Sequence, residues 1–472
     1  MDTKQHTSNL KQFRSALYQN FNKRADTLME LLDAMCSFPG AKSVVEYSLA
    51  SCFRRSYSTI FKAIDEMNLD EMWLPERVRD YLPRPKTWPF WLLLVDVTPA
   101  PRQYAHTLAD RGMVYQPEVV KGKLPVTIGH QYSTVALGLE PEVGVSASWV
   151  LPLLTQRVPT SADKELVGSR QIEKLLQDTK LAFAQELTVA AADSSYSKAA
   201  YLHAQRRFPN LVTLVRVRGN RTFYHQYVSS TEELENPGPG HPKWYGERFS
   251  LSEPETWPDP DETYTFWETS RRGKRYRVEI QAWHNLLMHG KRQPARLPMH
   301  KYPFTLVRIV RYDEEGRQAF KHPLWLIVMG ERRQELTLEH IYQAYGCRFD
   351  IEHFFRFGKQ KLLLAAFQTP EVQREENWWQ LVHIAYAQLW LARQVVDALP
   401  RPWERNLPAM KQRLISPTLV QRGFARIIRQ LETPAQPPKP RGIPPGRRKG
   451  LKLPPRLRQK VVVKSQHIPK PA

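Results

Sequence analysis

The chain has few of several things. It has three cysteines in 472 residues, Cys36, Cys52 and Cys347, with neither an even count nor metal-ligand spacing. That excludes a disulfide-stapled scaffold and a thiolate zinc site, and it suits a reducing compartment. Long apolar runs are missing: "FWLLLV" is among the longest, far short of a membrane span. The opening "MDTKQHTSNLKQF" is polar and shows no signal peptide. No Walker loop, G-x-S-x-G elbow or zinc pattern occurs, and no internal repeat is found. Acids are scarce relative to bases, 47 Asp and Glu against 69 Lys and Arg, giving a formal charge of +22. So large an excess favours a polyanionic partner through counterion release, and the short apolar runs favour nucleic acid over membrane. A cytoplasmic DNA- or RNA-handling protein is the expectation.

The 42% hydrophobic content is enough for a sizeable core in two to four domains. Residues 1–85 read as helices, with three-to-four apolar spacing in "TLMELLDAMCSF", "AKSVVEYSLASCF" and "YSTIFKAIDEM". Arg54 and Arg55 precede the last of these, which is compatible with a helix-turn-helix DNA-reading domain; the plain alternative is a helical bundle. Beyond the linker "RPKTWPF", residues 86–214 alternate strand and helix patterns, which predicts a mixed α/β sheet. Residues 215–335 alternate strand-like pieces with Gly/Pro turns and read as a β-rich insertion; 336–400 return to the core. A helical segment over 401–433 precedes a Pro-rich basic tail, 434–472, expected to be disordered or extended and in loose contact with phosphates.

Chemistry concentrates in "YGCRFDIEHFFRFGK", residues 345–359. On one helix, Tyr345, Arg348, Glu352 and Lys359 fall within an arc of roughly 60°, with Arg356 on the same side. Phenylalanines cover the rest, so the stripe should line a cleft; the bland reading is a surface stripe with a Glu352–Arg356 pair. Two further acids end apolar runs: Asp96 in "WPFWLLLVD" and Asp193 in "LTVAAAD". Singly each suits a turn or cap. With Glu352 they form an oxygen-donor set suited to Mg²⁺ or Mn²⁺. Two such ions activate a nucleophile and stabilise a leaving oxygen in phosphodiester displacement. Arg348 and Lys359 would then grip phosphates, and Tyr345 would donate to a phosphate oxygen or pack on a sugar.

The spacing Tyr345-x2-Arg348-x3-Glu352-x6-Lys359 resembles the Y-R-E-K signature of cut-and-paste DDE transposases from bacterial insertion sequences. Asp96, Asp193 and a β-rich insertion before the glutamate recur in the same order, over roughly residues 86–400. The resemblance implies an RNase H-like core interrupted by that insertion, with Asp96, Asp193 and Glu352 as catalytic ligands of two Mg²⁺ ions, for which Mn²⁺ can substitute. It implies cleavage at transposon ends, strand transfer into target DNA, and a homodimer on paired ends in the bacterial cytoplasm and nucleoid. "DSSY" departs from the pattern by placing Ser195 where the family has Gly or Ala. Trp325 is a candidate to stack on a displaced base. Alternatives are a related nuclease without strand transfer and a non-catalytic DNA-binding descendant. A two-carboxylate glycosidase explains neither the charge nor the basic stripe.

Overall fold

The computed structural model describes residues 3–115, 125–140, 149–228, 243–270, 273–290, 297–397, 415–440, 446, 450, 452 and 454–463. The chain divides into two compact units. One comprises Met1–Arg84, Val97–Val167 and Asp350–Ala472; the other comprises Pro85–Asp96 and Gly168–Phe349.

In the first unit, α1 (Thr3–Asn20), α2 (Ala25–Ser37), α3 (Ser58–Glu66) and α4 (Trp73–Val78) come from the N-terminal stretch. They do not pack alone. The long helix Val372–Asp397 and the helix Pro417–Leu431 join α1–α3 in one core. Burial all round explains this: Trp378, Trp379 and Tyr386 of the long helix are at most 1% exposed. The Trp379 ring stacks on Tyr132 at 3.8 Å, and Trp149 meets Tyr386 at 5.4 Å. The expected helix over "AKSVVEYSLASCF" is only a 3₁₀ turn, Val44–Leu49, consistent with its adjacent β-branched valines and its serines. A full helix-turn-helix is therefore missing at this position.

The same unit holds β2 (Gly112–Tyr115), β3 (Val126–Gly138) and β4 (Val150–Val158), both of the others antiparallel to β3. The second half of β1 (Trp91–Pro101) lies along β3, where Gly129 is needed: a Cβ there would sit 2.3 Å from the Ala100 carbonyl oxygen. Part of the basic tail is ordered. The Gln459 and Val462 amides donate to the His106 and Arg111 carbonyls, each at 2.8 Å, so residues 454–463 are extended rather than disordered.

The second unit is a mixed sheet. The first half of β1, β5 (Thr188–Ala192) and β6 (Leu211–Val217) are parallel. Short β5 is wholly buried, as its apolar run "TVAAA" requires. Helices α5 (Lys164–Gln177), α6 (Ala182–Gln185) and α7 (Ala199–Gln205) fall among these strands in sequence. The β-rich stretch joins this sheet. β9 (Glu262–Thr269), β10 (Arg275–Leu286), β11 (Phe304–Tyr312) and β12 (Leu324–Met329) run antiparallel, and β12 pairs with β6 through Trp325↔Val217. This extends the sheet from its β6 edge, because an open edge of N–H and C=O groups is satisfied by another strand. β7 (Thr222–Gln226) and β8 (Tyr245–Ser250) form a separate ribbon. The helix α8 (Leu338–Gly346) packs on β5 and β6, started by a capping box at Thr337 and His340.

Candidate active site

Asp96 and Asp193 lie at matched positions on neighbouring strands. The last printed rungs are Val95↔Ala192 on β1 and β5, and Ala192↔Val215 on β5 and β6. The next residues on the three strands are therefore Asp96, Asp193 and Arg216. In-register parallel strands run about 4.8 Å apart. Three apolar strands thus deliver two half-buried carboxylates and an exposed arginine to one row. Asp96 does not end its strand, as the sequence suggested: β1 continues to Pro101, beyond the end of its partner β5.

Asp193 caps the 3₁₀ turn Ser194–Tyr196. Its Oδ1 accepts from the Ser195 amide at 2.8 Å and from the Ser195 hydroxyl at 2.7 Å. The unusual serine at this small position thus does a job glycine or alanine would do only through its backbone. Two donors on one oxygen fix the orientation of the carboxylate.

Tyr345, at the end of α8, is 4% exposed and sits within the same charge field. Burial pushes its phenol pKa up, the cations Arg348 and Arg216 pull it back, and Asp193 pushes it further up. Tyr345 therefore stays protonated, a hydrogen-bond donor, across neutral pH. The Arg348 guanidinium lies 5.8 Å from the Tyr345 ring centre and 4.4 Å from that of Phe349. The guanidinium also donates to the Tyr345 hydroxyl, so ring and cation are held together.

The stretch 345–359 is not one helix. α8 stops at Gly346, and α9 (Arg348–Lys361) starts after a one-residue break at Cys347. Glu352 and Lys359 on α9 are half-buried and Arg356 is exposed. Phe354 and Phe357 anchor that helix on Tyr386, at 4.8 and 5.7 Å.

Among the described residues, no group of three or more His, Cys, Asp or Glu side chains stands together as a metal cluster. What the second unit brings together is the pair Asp96 and Asp193. Hard oxygen donors side by side fit a divalent cation by their chemistry. Arg216 escaped sequence reading because "VRVRG" looks like a strand's solvent face; only its register with Asp193 marks it.

Three sequence candidates lie elsewhere. Arg54 donates through Nε to Glu30 at 2.7 Å and through Nη2 to the Ala435 carbonyl at 2.9 Å. Arg55 donates to Glu30 at 3.2 Å and to the Gln436 carbonyl at 2.7 Å. Glu30 is fully buried, so this pair neutralises an interior carboxylate and straps residues 435–436 to α2, where a DNA-reading role was expected. Trp325 is 2% exposed and packs against Trp257 and Trp283 at 5.2 and 5.8 Å; it is a core residue here, not an exposed stacking platform.

The chain matches the family described as DDE superfamily endonuclease over residues 16–289, more than half its length. The match contains Asp96 and Asp193 and stops short of 345–359. No curated protein matches the chain at a significant level.

Proposed function

The chain belongs to the DDE superfamily of endonucleases, and from that premise we propose that it is a transposase that cuts DNA at transposon ends and joins them to target DNA. The observation that carries the reading is the placement of Asp96 and Asp193 at matched positions on parallel strands, with Arg216, Tyr345 and Arg348 grouped at Asp193.

Asp96 and Asp193, with Glu352 as third ligand, would hold divalent cations, Mg²⁺ or Mn²⁺. Bound there, such ions supply charge stabilisation and lower the pKa of a coordinated water. The protein's own residues do the rest. Arg348 and Arg216 hold non-bridging phosphate oxygens beside the acids, so the phosphorus is presented to them. The Tyr345 hydroxyl donates to a third oxygen. Ser195 keeps one oxygen of Asp193 occupied and turns the other outward. Arg356 and Lys359, one and two turns beyond Glu352 on α9, grip the backbone of the bound strand. DNA is thus the substrate, and pairing of two ends calls for a homodimer. Among the described residues no helix is long and apolar enough to cross a membrane, and a DNA-cutting role places the protein with the bacterial nucleoid. The family's endonuclease description supports a second reading, hydrolysis without strand transfer.

A labelled duplex carrying the element's own ends tests this. Cleavage requires Mg²⁺ or Mn²⁺ and is lost in Asp96→Ala, Asp193→Ala and Glu352→Ala, with duplex binding retained. Arg216→Ala and Arg348→Ala reduce cleavage about tenfold or more, the cost of a charge-assisted hydrogen bond to phosphate. Metal-dependent cutting at the normal rate by Glu352→Ala overturns the third ligand; a product cut but never joined selects the nuclease reading.

A further inference from the structure

The sheet of the second unit carries a ladder of arginines and aromatic rings on the face opposite α8. On β10, Arg275 and Arg277 project to that face. Arg277 is in register with Trp267 of edge strand β9 on one side and with Tyr312 of β11 on the other. The Arg275 guanidinium lies 5.2 Å from the Trp267 ring, Arg277 lies 4.7 Å from Tyr312, and Arg308 of β11 lies 5.4 Å from Trp257. These three arginine–ring pairs share one face. Around them the face is polar: Thr263, Thr265 and Thr269 on exposed β9, and Gln281, which accepts from Arg308 at 2.7 Å. Trp267 is 50% exposed, although burying an indole is favourable. Glu279 shares the face and meets Arg277 at 3.8 Å, a contact between partly exposed groups that a phosphate competes with easily.

We infer that this face binds single-stranded DNA, with unpaired bases stacking on Trp267 and Tyr312 and phosphates held by Arg275, Arg277 and Arg308. The chemistry selects the occupant. Rings accept any base's π-face but reach it only where bases are unstacked, so a duplex cannot use them. Guanidinium groups beside the rings match a backbone carrying one charge per nucleotide. From Arg275 to the level of Arg308, opposite Gln281, the ladder covers six residues of strand, about 20 Å, room for a few nucleotides. The inference rests on DNA being the substrate, but not on cleavage.

The test is fluorescence anisotropy with the full-length chain in the Asp96→Ala background, using labelled oligothymidylate of fifteen nucleotides and a fifteen-base-pair duplex. Trp267→Ala is expected to weaken oligothymidylate binding about five- to hundredfold and to leave duplex binding unchanged. Arg277→Gln should weaken the single strand and flatten its salt dependence, and Trp267→Phe should restore most affinity. All three variants should melt like the parent. Equal losses for both probes, or no loss for the single strand, overturn the proposal. So does a Trp267→Ala protein that turns from dimer to monomer with unchanged oligothymidylate affinity, which assigns the face to a second copy. Normal metal-dependent cutting by Asp96→Ala and Asp193→Ala, with oligothymidylate binding intact, removes the transposase reading and leaves this one.

Discussion

Arg54 and Arg55 separate two accounts of the N-terminal helices, and their removal has a calculable cost. Glu30 is fully buried and takes hydrogen bonds from the Arg54 amide at 3.0 Å, the Arg54 Nε at 2.7 Å and the Arg55 Nη1 at 3.2 Å. Arg54→Ala deletes one charged hydrogen bond to Glu30 and one to the Ala435 carbonyl. With Arg55 still present, the loss is about 2 kcal/mol, within the range for hydrogen bonds to charged groups. Deleting both arginines leaves a buried carboxylate with no cation at its side, which costs about 3–5 kcal/mol. At about 2–4 °C per kcal/mol for a unit of this size, the single variant melts several degrees lower and the double variant roughly 6–20 °C lower. Scanning calorimetry reads this directly. Duplex affinity measured against salt, at a temperature where both proteins are folded, should keep its slope. Unchanged melting with a salt slope reduced by about two would mean that both arginines contact phosphates, and the structural account of them would be wrong.

Truncation after residue 453 should lower the urea midpoint by the equivalent of about 1–3 kcal/mol. It removes the Gln459 and Val462 amide bonds, the Gln459 carbonyl that accepts from buried Arg111, and the Arg456–Glu371 pair at 3.0 Å; an unmoved midpoint would show that this segment is not attached. Asp110 has a pKa below the ordinary carboxylate value: burial opposes the shift, but donors from Thr160 and Arg157 outweigh it. A depressed folded pKa adds stability that is present above about pH 4 and is lost as pH falls through the folded value. Asp110→Asn should therefore be less stable than the parent at pH 7 and lose less on going from pH 4 to pH 2, as followed by urea unfolding at each pH. Asn also tolerates the left-handed backbone there, φ 57°.

Local pattern carried much of the architecture. Apolar runs in "WLLLV" and "LTVAAA" mark buried strands because both of their faces lack polar groups, and each run stops at an aspartate for the same reason. Three-to-four spacing marks α2 and α3, and the continuous apolar girth of the long helix 372–397 marks it as central. The charged stretch 345–359 stood out because its bases interrupt phenylalanines. None of these patterns holds information about register. That Asp96 lies beside Asp193, and Arg216 on the other side of Asp193, follows only from the pairing of β1, β5 and β6, contacts between residues far apart in sequence.

The same limit explains what sequence reading misplaced. Arg54 and Arg55 looked like a basic turn because Glu30, the buried charge they neutralise, is 24 residues earlier. Trp325 looked available because a strand's two faces are indistinguishable until another layer covers one, here Trp257 and Trp283. The pairing of β12 with β6 was not legible because turn-rich β sequence does not reveal which edge it will join. Sequence by itself set which segments are helix, strand or tail, since propensity and periodicity act over a few residues. Tertiary structure alone decided which charges are buried partners and which face a substrate, since desolvation depends on neighbours that the chain supplies from a distance.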